Sequence, residues 1–196
     1  MLAWPIVTGC ERLSPGCSNC PSYWEYVKMG WDYHPIPRPE YLDTLPKKSS
    51  VILVAPGSDL LHEAIRVEYI EIVIKTMALN LKHTFQVVTK RAERLEALDL
   101  PWPGNVTIGV AVEEERYKWR IDCLRHVRAN RFVSFGPLTG SIGKINLTGI
   151  NYAGVVIETW GTPRPYKQEW VDEIHDQCIE QEVTISTDHW LVKETV

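Results

Sequence analysis

Strand and helix signals alternate along this chain almost without exception, and that alternation restricts its possible folds more than any other feature. Short β-branched runs at Leu2–Val7, Ser50–Ala55, Thr84–Val88, Val106–Val112, Arg131–Phe135, Tyr152–Ile157 and Val183–Ser186 read as strands. Tyr23–Met29, Val67–Leu81, Ala92–Leu98, Glu115–Val127 and Gln168–Gln181 read as the helices between them. In Val67–Leu81 the apolar residues Tyr69, Ile70, Val73, Ile74, Met77 and Leu81 fall at helical spacing. The strands are nearly continuous in hydrophobicity, as strands buried on both faces are. Strands and helices in alternation build an α/β fold with right-handed crossovers. The expected architecture is a partial (open) β/α barrel of about six or seven parallel strands, because the chain is too short to close one. The 196 residues read as a single domain over 1–196, without repeats or a dividing linker. An irregular connection over 32–50 is punctuated by Pro35, Pro37, Pro39 and Pro46.

Composition removes several classes. A chain 44% hydrophobic and 23% charged buries enough apolar surface to offset the entropy of ordering it, so disorder is not expected. No apolar run reaches the ~18 residues of a membrane span, so no membrane partner is expected. The opening Met1-Leu2-Ala3-Trp4-Pro5 lacks the basic and apolar regions of a signal peptide, which predicts a cytoplasmic protein. A net charge of −4 argues against retention on nucleic acid by bulk electrostatics. Lys90, Arg91, Arg94 and the segment 116–131 still concentrate positive charge, as a local basic groove or as solvated helix faces. Eight Trp and eight Tyr against three Phe suit a pocket that stacks planar ligands, or a core whose polar handles are satisfied.

Polar residues recur where the strands end. Cys10 follows the first strand, Asp59 and His62-Glu63 the second, Lys90-Arg91 the third and Glu113 the fourth. Ser134 ends the fifth and Glu158 the sixth, with Arg164 beyond it. C-terminal strand ends are where parallel α/β sheets and barrels keep their sites.

Cys10, Cys17 and Cys20 crowd into a loop over 8–21, spaced C-x6-C-x2-C, while Cys123 and Cys178 lie far away in helical patterns and read as small buried hydrophobes. An odd count speaks against a disulfide framework. Three thiolates suit a [4Fe–4S] cluster whose fourth iron stays open to a ligand. A structural zinc needs four ligands, and His34, Cys123 or Cys178 would have to supply the last. Spacing alone leaves cluster, zinc and free thiols open.

The run Trp4-Pro5-Ile6-Val7-Thr8-Gly9-Cys10 with Ser14-Pro15-Gly16-Cys17-Ser18-Asn19-Cys20 resembles the opening of a phage and prophage family of three-cysteine-motif proteins. Most members are of unknown function, and the family is radical-SAM-like, distantly related to spore photoproduct lyase. Further matches follow in order: Ser58-Asp59-Leu60-Leu61-His62-Glu63, His83–Arg91, Ile108–Glu113, Arg131–Leu138, and Glu158-Thr159 with Arg164-Pro165. Gly136 stands where the family usually carries Glu and Ala111 where it carries Ser, and Thr187-Asp188-His189-Trp190 replaces the usual ending.

The resemblance implies a radical SAM enzyme: Cys10, Cys17 and Cys20 hold a [4Fe–4S] cluster, and S-adenosylmethionine binds its open iron. An external electron donor reduces the cluster, and a hydrogen atom is taken from a substrate, with a nucleobase, nucleotide or DNA as the natural guess. Asp59 would meet the methionyl ammonium of S-adenosylmethionine, or else cap a helix. Glu113 would meet its ribose or ammonium, or else open a helix as a first-turn acid. Lys90 or Arg91 would bind its carboxylate or a substrate phosphate. Ser134 is a further candidate for cofactor or substrate, and Glu158 and Arg164 for substrate. His62 reads as structural, and no residue is singled out as catalytic. The competing reading is a non-catalytic module, stapled by iron–sulfur or zinc, that binds nucleic acid or a partner protein.

Overall fold

The computed structural model describes residues 1–186. Its elements are β1 (Leu2–Trp4), β2 (Val7–Thr8), α1 (Pro21–Met29), β3 (Ile36–Pro37), β4 (Val51–Val54), α2 (Val67–Leu79), β5 (Thr84–Thr89), α3 (Ala92–Ala97), β6 (Val106–Val112), α4 (Trp119–His126), β7 (Asn130–Phe135), β8 (Tyr152–Val155), α5 (Gln168–Glu180) and β9 (Thr184–Ser186). Seven strands form one sheet in the order β1-β4-β5-β6-β7-β8-β9, every pair parallel. Spatial order follows chain order, so each right-handed crossover lays its helix on the same side. The result is the expected α/β architecture, an open sheet that is not closed into a barrel.

That winding makes the two faces of the sheet unequal. On the helix side Ile52, Val54, Phe85, Val87, Ile108, Val110, Val133 and Phe135 pack against Ile70, Val73 and Met77 of α2, Leu95 of α3, Leu124 of α4 and Ile174 of α5. The other face carries Leu53, Gln86, Val88, Thr107, Gly109, Ala111, Phe132 and Ser134, side by side in register. Burial on both faces, expected of every strand, holds throughout only for the central β6. β4 alternates between buried and more exposed positions, Val51 and Leu53 being less covered than Ile52 and Val54.

The first strand is shorter than its apolar run. Pro5 has no N–H to give a neighbouring strand, so β1 stops at Trp4. The chain then turns, and β2 pairs antiparallel with β3, which lies inside the stretch over 32–50 expected to be irregular. α1 begins at Pro21, where a first-turn proline costs no hydrogen bond, and ends at Gly30, whose φ of 68° suits glycine. Among the described residues no helix is long and apolar enough to cross a membrane. The substituted ending at Thr187–Trp190 lies outside the described residues.

Candidate functional site

Cys10, Cys17 and Cys20 all face one cavity of about 950 Å³. Its walls above the sheet also take in Asp59, Lys90, Arg91 and Glu158, and Leu53, Val88 and Ala111 form its floor on the sheet face opposite the helices. Of the strand-end residues, Cys10, Asp59, Lys90, Arg91 and Glu158 line this one cavity, whereas Glu113 and Ser134 do not.

Polar contacts fasten the cysteine loop to that rim. The Cys10 N–H donates to the Tyr33 carbonyl at 3.0 Å, and the Ser58 hydroxyl donates to the Gly9 carbonyl. The Tyr33 hydroxyl donates to the Gly57 carbonyl at 2.6 Å and lies 3.8 Å from Cys20 Sγ. Asn19 Nδ2 reaches Glu158 at 3.3 Å and the Trp160 carbonyl at 3.0 Å. Arg164 pairs with Glu158 through its guanidinium and donates to the Pro15 carbonyl at 2.9 Å. A Cβ at Gly16 would stand 2.6 Å from Glu113 Cγ, so glycine is what lets the loop come this close to β6.

Two buried ion groups lie beneath the loop. Asp59, 4% exposed, accepts from the Leu61 N–H at 2.9 Å, from Thr89 Oγ1 at 2.9 Å and from Arg91 Nη1 at 3.0 Å. Arg91 also holds Glu63 at 2.6 Å. Glu113, fully buried, takes Arg120 Nη1 at 2.7 Å on one oxygen, and Lys90 Nζ at 2.5 Å with the Ser14 hydroxyl on the other. Lys90 Nζ lies 3.0 Å from Ser14 Oγ and 3.2 Å from Cys17 Sγ.

These surroundings separate the thiols. Burial and the Asp59 charge push the Cys10 thiol up to about 11. Burial works against the Cys17 thiolate too, but the Lys90 ammonium and the Ser14 hydroxyl bring its pKa below the ordinary cysteine value. Burial alone raises Cys178 to about 11, in the core under α5, and burial with the Glu96 carboxylate raises Cys123 to about 12. Neither belongs to the cavity wall, and the His34 ring is exposed and faces Asp32 at 3.5 Å. A zinc held by thiolates at ~2.3 Å draws its ligands close together. Among the described residues no three His, Cys, Asp or Glu side chains are grouped in that way. Cys10, Cys17 and Cys20 line the cavity, and no further cysteine among the described residues does.

Several expected ligand contacts are replaced by internal ones. Glu113 is not on the cavity surface; both its oxygens are held by side chains of this chain. Asp59 does cap its own turn at Leu61 while pairing with Arg91. Ser134 lies within β7 on the face away from the helices, opposite Ala111 and Gly154, and is not part of the cavity wall. Lys90, Arg91, Arg94 and Arg120 make bonds inside the molecule, which removes most of the suggested basic groove. Tyr33, Ser14, Asn19 and Arg120 were not singled out as site residues. Ser14 and Asn19 stand inside the cysteine motif, but nothing in the sequence pairs Arg120 with Glu113.

A family described as protein of unknown function (DUF5131) matches residues 2–191. The chain belongs to the DUF5131 family. The match spans the cysteine loop and every strand of the sheet, so in this DUF5131 protein the loop, the rim and the scaffold form one family unit. No curated protein and no solved structure matches the chain.

Proposed function

We propose that this protein is a radical S-adenosylmethionine enzyme whose Cys10, Cys17 and Cys20 hold a [4Fe–4S] cluster. The observation that supports the reading is the placement of these three cysteines, and no other among the described residues, on one cavity at the C-terminal edge of a singly wound open sheet. When bound and reduced, the cluster supplies one electron that cleaves S-adenosylmethionine to a 5′-deoxyadenosyl radical, which abstracts hydrogen from a substrate. The chain itself orders the cysteine loop through Ser58, Asn19 and Arg164. Lys90 and Arg91 supply the positive charge beside the thiols, and Leu53, Val88 and Ala111 give the cavity an apolar floor. An external electron donor, a nucleotide or DNA substrate and a cytoplasmic location belong to the same reading.

Anaerobic purification tests it. A brown protein absorbing near 400 nm, with iron and sulfide bound and 5′-deoxyadenosine formed from S-adenosylmethionine under reduction, is the expected result. A colourless zinc-loaded protein would instead support the non-catalytic stapled module. That second reading draws on one observation: Asp59, Glu113 and Glu158 are all consumed by internal ion pairs.

A further inference from the structure

An ammonium group has three N–H donors. Those of Lys90 are matched by three acceptors within the molecule: Glu113 Oε1 at 2.5 Å, Ser14 Oγ at 3.0 Å and Cys17 Sγ at 3.2 Å. That leaves no donor for the anionic end of a bound molecule. The carboxylate it holds is itself immobile, because Arg120 Nη1 grips Glu113 at 2.7 Å and the Ala111 carbonyl at 2.7 Å. A rigid path of bonds thus runs from α4, through the end of β6, to Lys90 after β5 and on to the cysteine loop. The sulfur in contact with the Lys90 ammonium is Cys17.

We propose that Lys90 is a positioning residue: it holds Ser14 and Cys17 in the geometry the cluster requires and donates a hydrogen bond to the Cys17 sulfur, instead of gripping a ligand. This rests on the reading of Cys17 as a cluster ligand. A donor to a coordinating sulfur stabilises the more negative, reduced cluster and so raises its reduction potential.

Lys90→Met keeps most of the stem and removes charge and donors, while Glu113 retains Arg120. Amide hydrogen exchange of residues 14–17 in the protein before cluster loading should speed up by about tenfold or more, with β6 unchanged. After anaerobic loading, the reduction midpoint should move to a more negative potential, and Lys90→Arg should stay near the parent. Unchanged exchange over 14–17, or an unchanged midpoint in the loaded variant, overturns the proposal. Should Lys90→Met fail to fold, the neutral, polar Lys90→Gln is read on the same two scales. If the parent takes up no iron and sulfide, the cluster reading falls, and the exchange measurement alone then decides whether Lys90 positions the loop.

Discussion

The helical layer and the cysteine loop are attached to the same sheet by different forces. α2, α3, α4 and α5 each bury side chains against the sheet, whereas α1, which follows the cysteine loop, buries none. Trp24, Val27, Met29 and Trp31 stay largely exposed there. The loop is held by directional bonds from Ser58, Asn19, Tyr33, Lys90 and Arg164. Apolar burial is proportional to area and resists local opening. A few polar bonds fix a geometry while leaving a segment separately adjustable. The scaffold should therefore tolerate changes in the loop, and the loop should feel changes in the scaffold through the polar bonds and the ion group that join them.

The sharpest test of that contrast lies in the core. Phe85 is fully buried and packs at 5.7 Å on Trp4, so Phe85→Ala should cost about 3–5 kcal/mol in denaturant unfolding. A loss below about 1 kcal/mol would deny the apolar layer its dominant role. At the junction, Arg120→Met removes one partner of the buried Glu113 and should cost about 3 kcal/mol. It should also raise hydrogen exchange in residues 14–17, 99 positions away in sequence from Glu113 at Ser14; a purely local effect on α4 would break the proposed path. Arg164→Met acts on a partly exposed pair and should change global stability by about 1 kcal/mol or less. Its visible effect should be faster proteolysis or exchange around 158–164, and protection equal to the parent would show that the clamp is dispensable.

The smallest expected effect is one of pH. Burial and the nearby Arg91 charge lower the His62 pKa below the usual histidine value, against the pull of Glu63, Asp59 and Glu11. The unfolded chain therefore binds a proton at higher pH than the folded one. The associated stability is present above the unfolded value and is lost as pH falls from there through the folded value. His62→Gln should flatten the fall in stability between about pH 7 and pH 5, and an unaltered slope would exclude His62 as its source.

Much of the scaffold was legible because side-chain periodicity is a local property. Val106–Val112 and Gln168–Gln181 announced a strand and a helix that the structure places within a residue or two. The gathering of Asp59, Lys90 and Glu158 at one rim followed from their positions just past strand ends, since parallel strands deliver those ends to one edge. Roles were less legible than places. Asp59 and Glu113 looked like groups ready for a ligand, yet each is bonded within the chain. Ser134 sits one residue short of the strand end, and the period of two directs it to the sheet face. The break at Pro5 was written in the sequence, but the β2–β3 ribbon it permits depends on a partner almost thirty residues on, Pro37 against Val7 and Ile36 against Thr8.

What the sequence determined alone is what neighbours along the chain can enforce: the alternation of elements, the parallel sheet that follows, and three cysteines in one short loop. Only the tertiary structure decided which face of the sheet borders the cavity and which charges satisfied one another. It also decided that Lys90, on the cavity wall, gives its ammonium to Cys17, 73 residues away. Ion pairing and burial depend on distances between segments remote in sequence, and those distances exist only once the strands have been laid side by side.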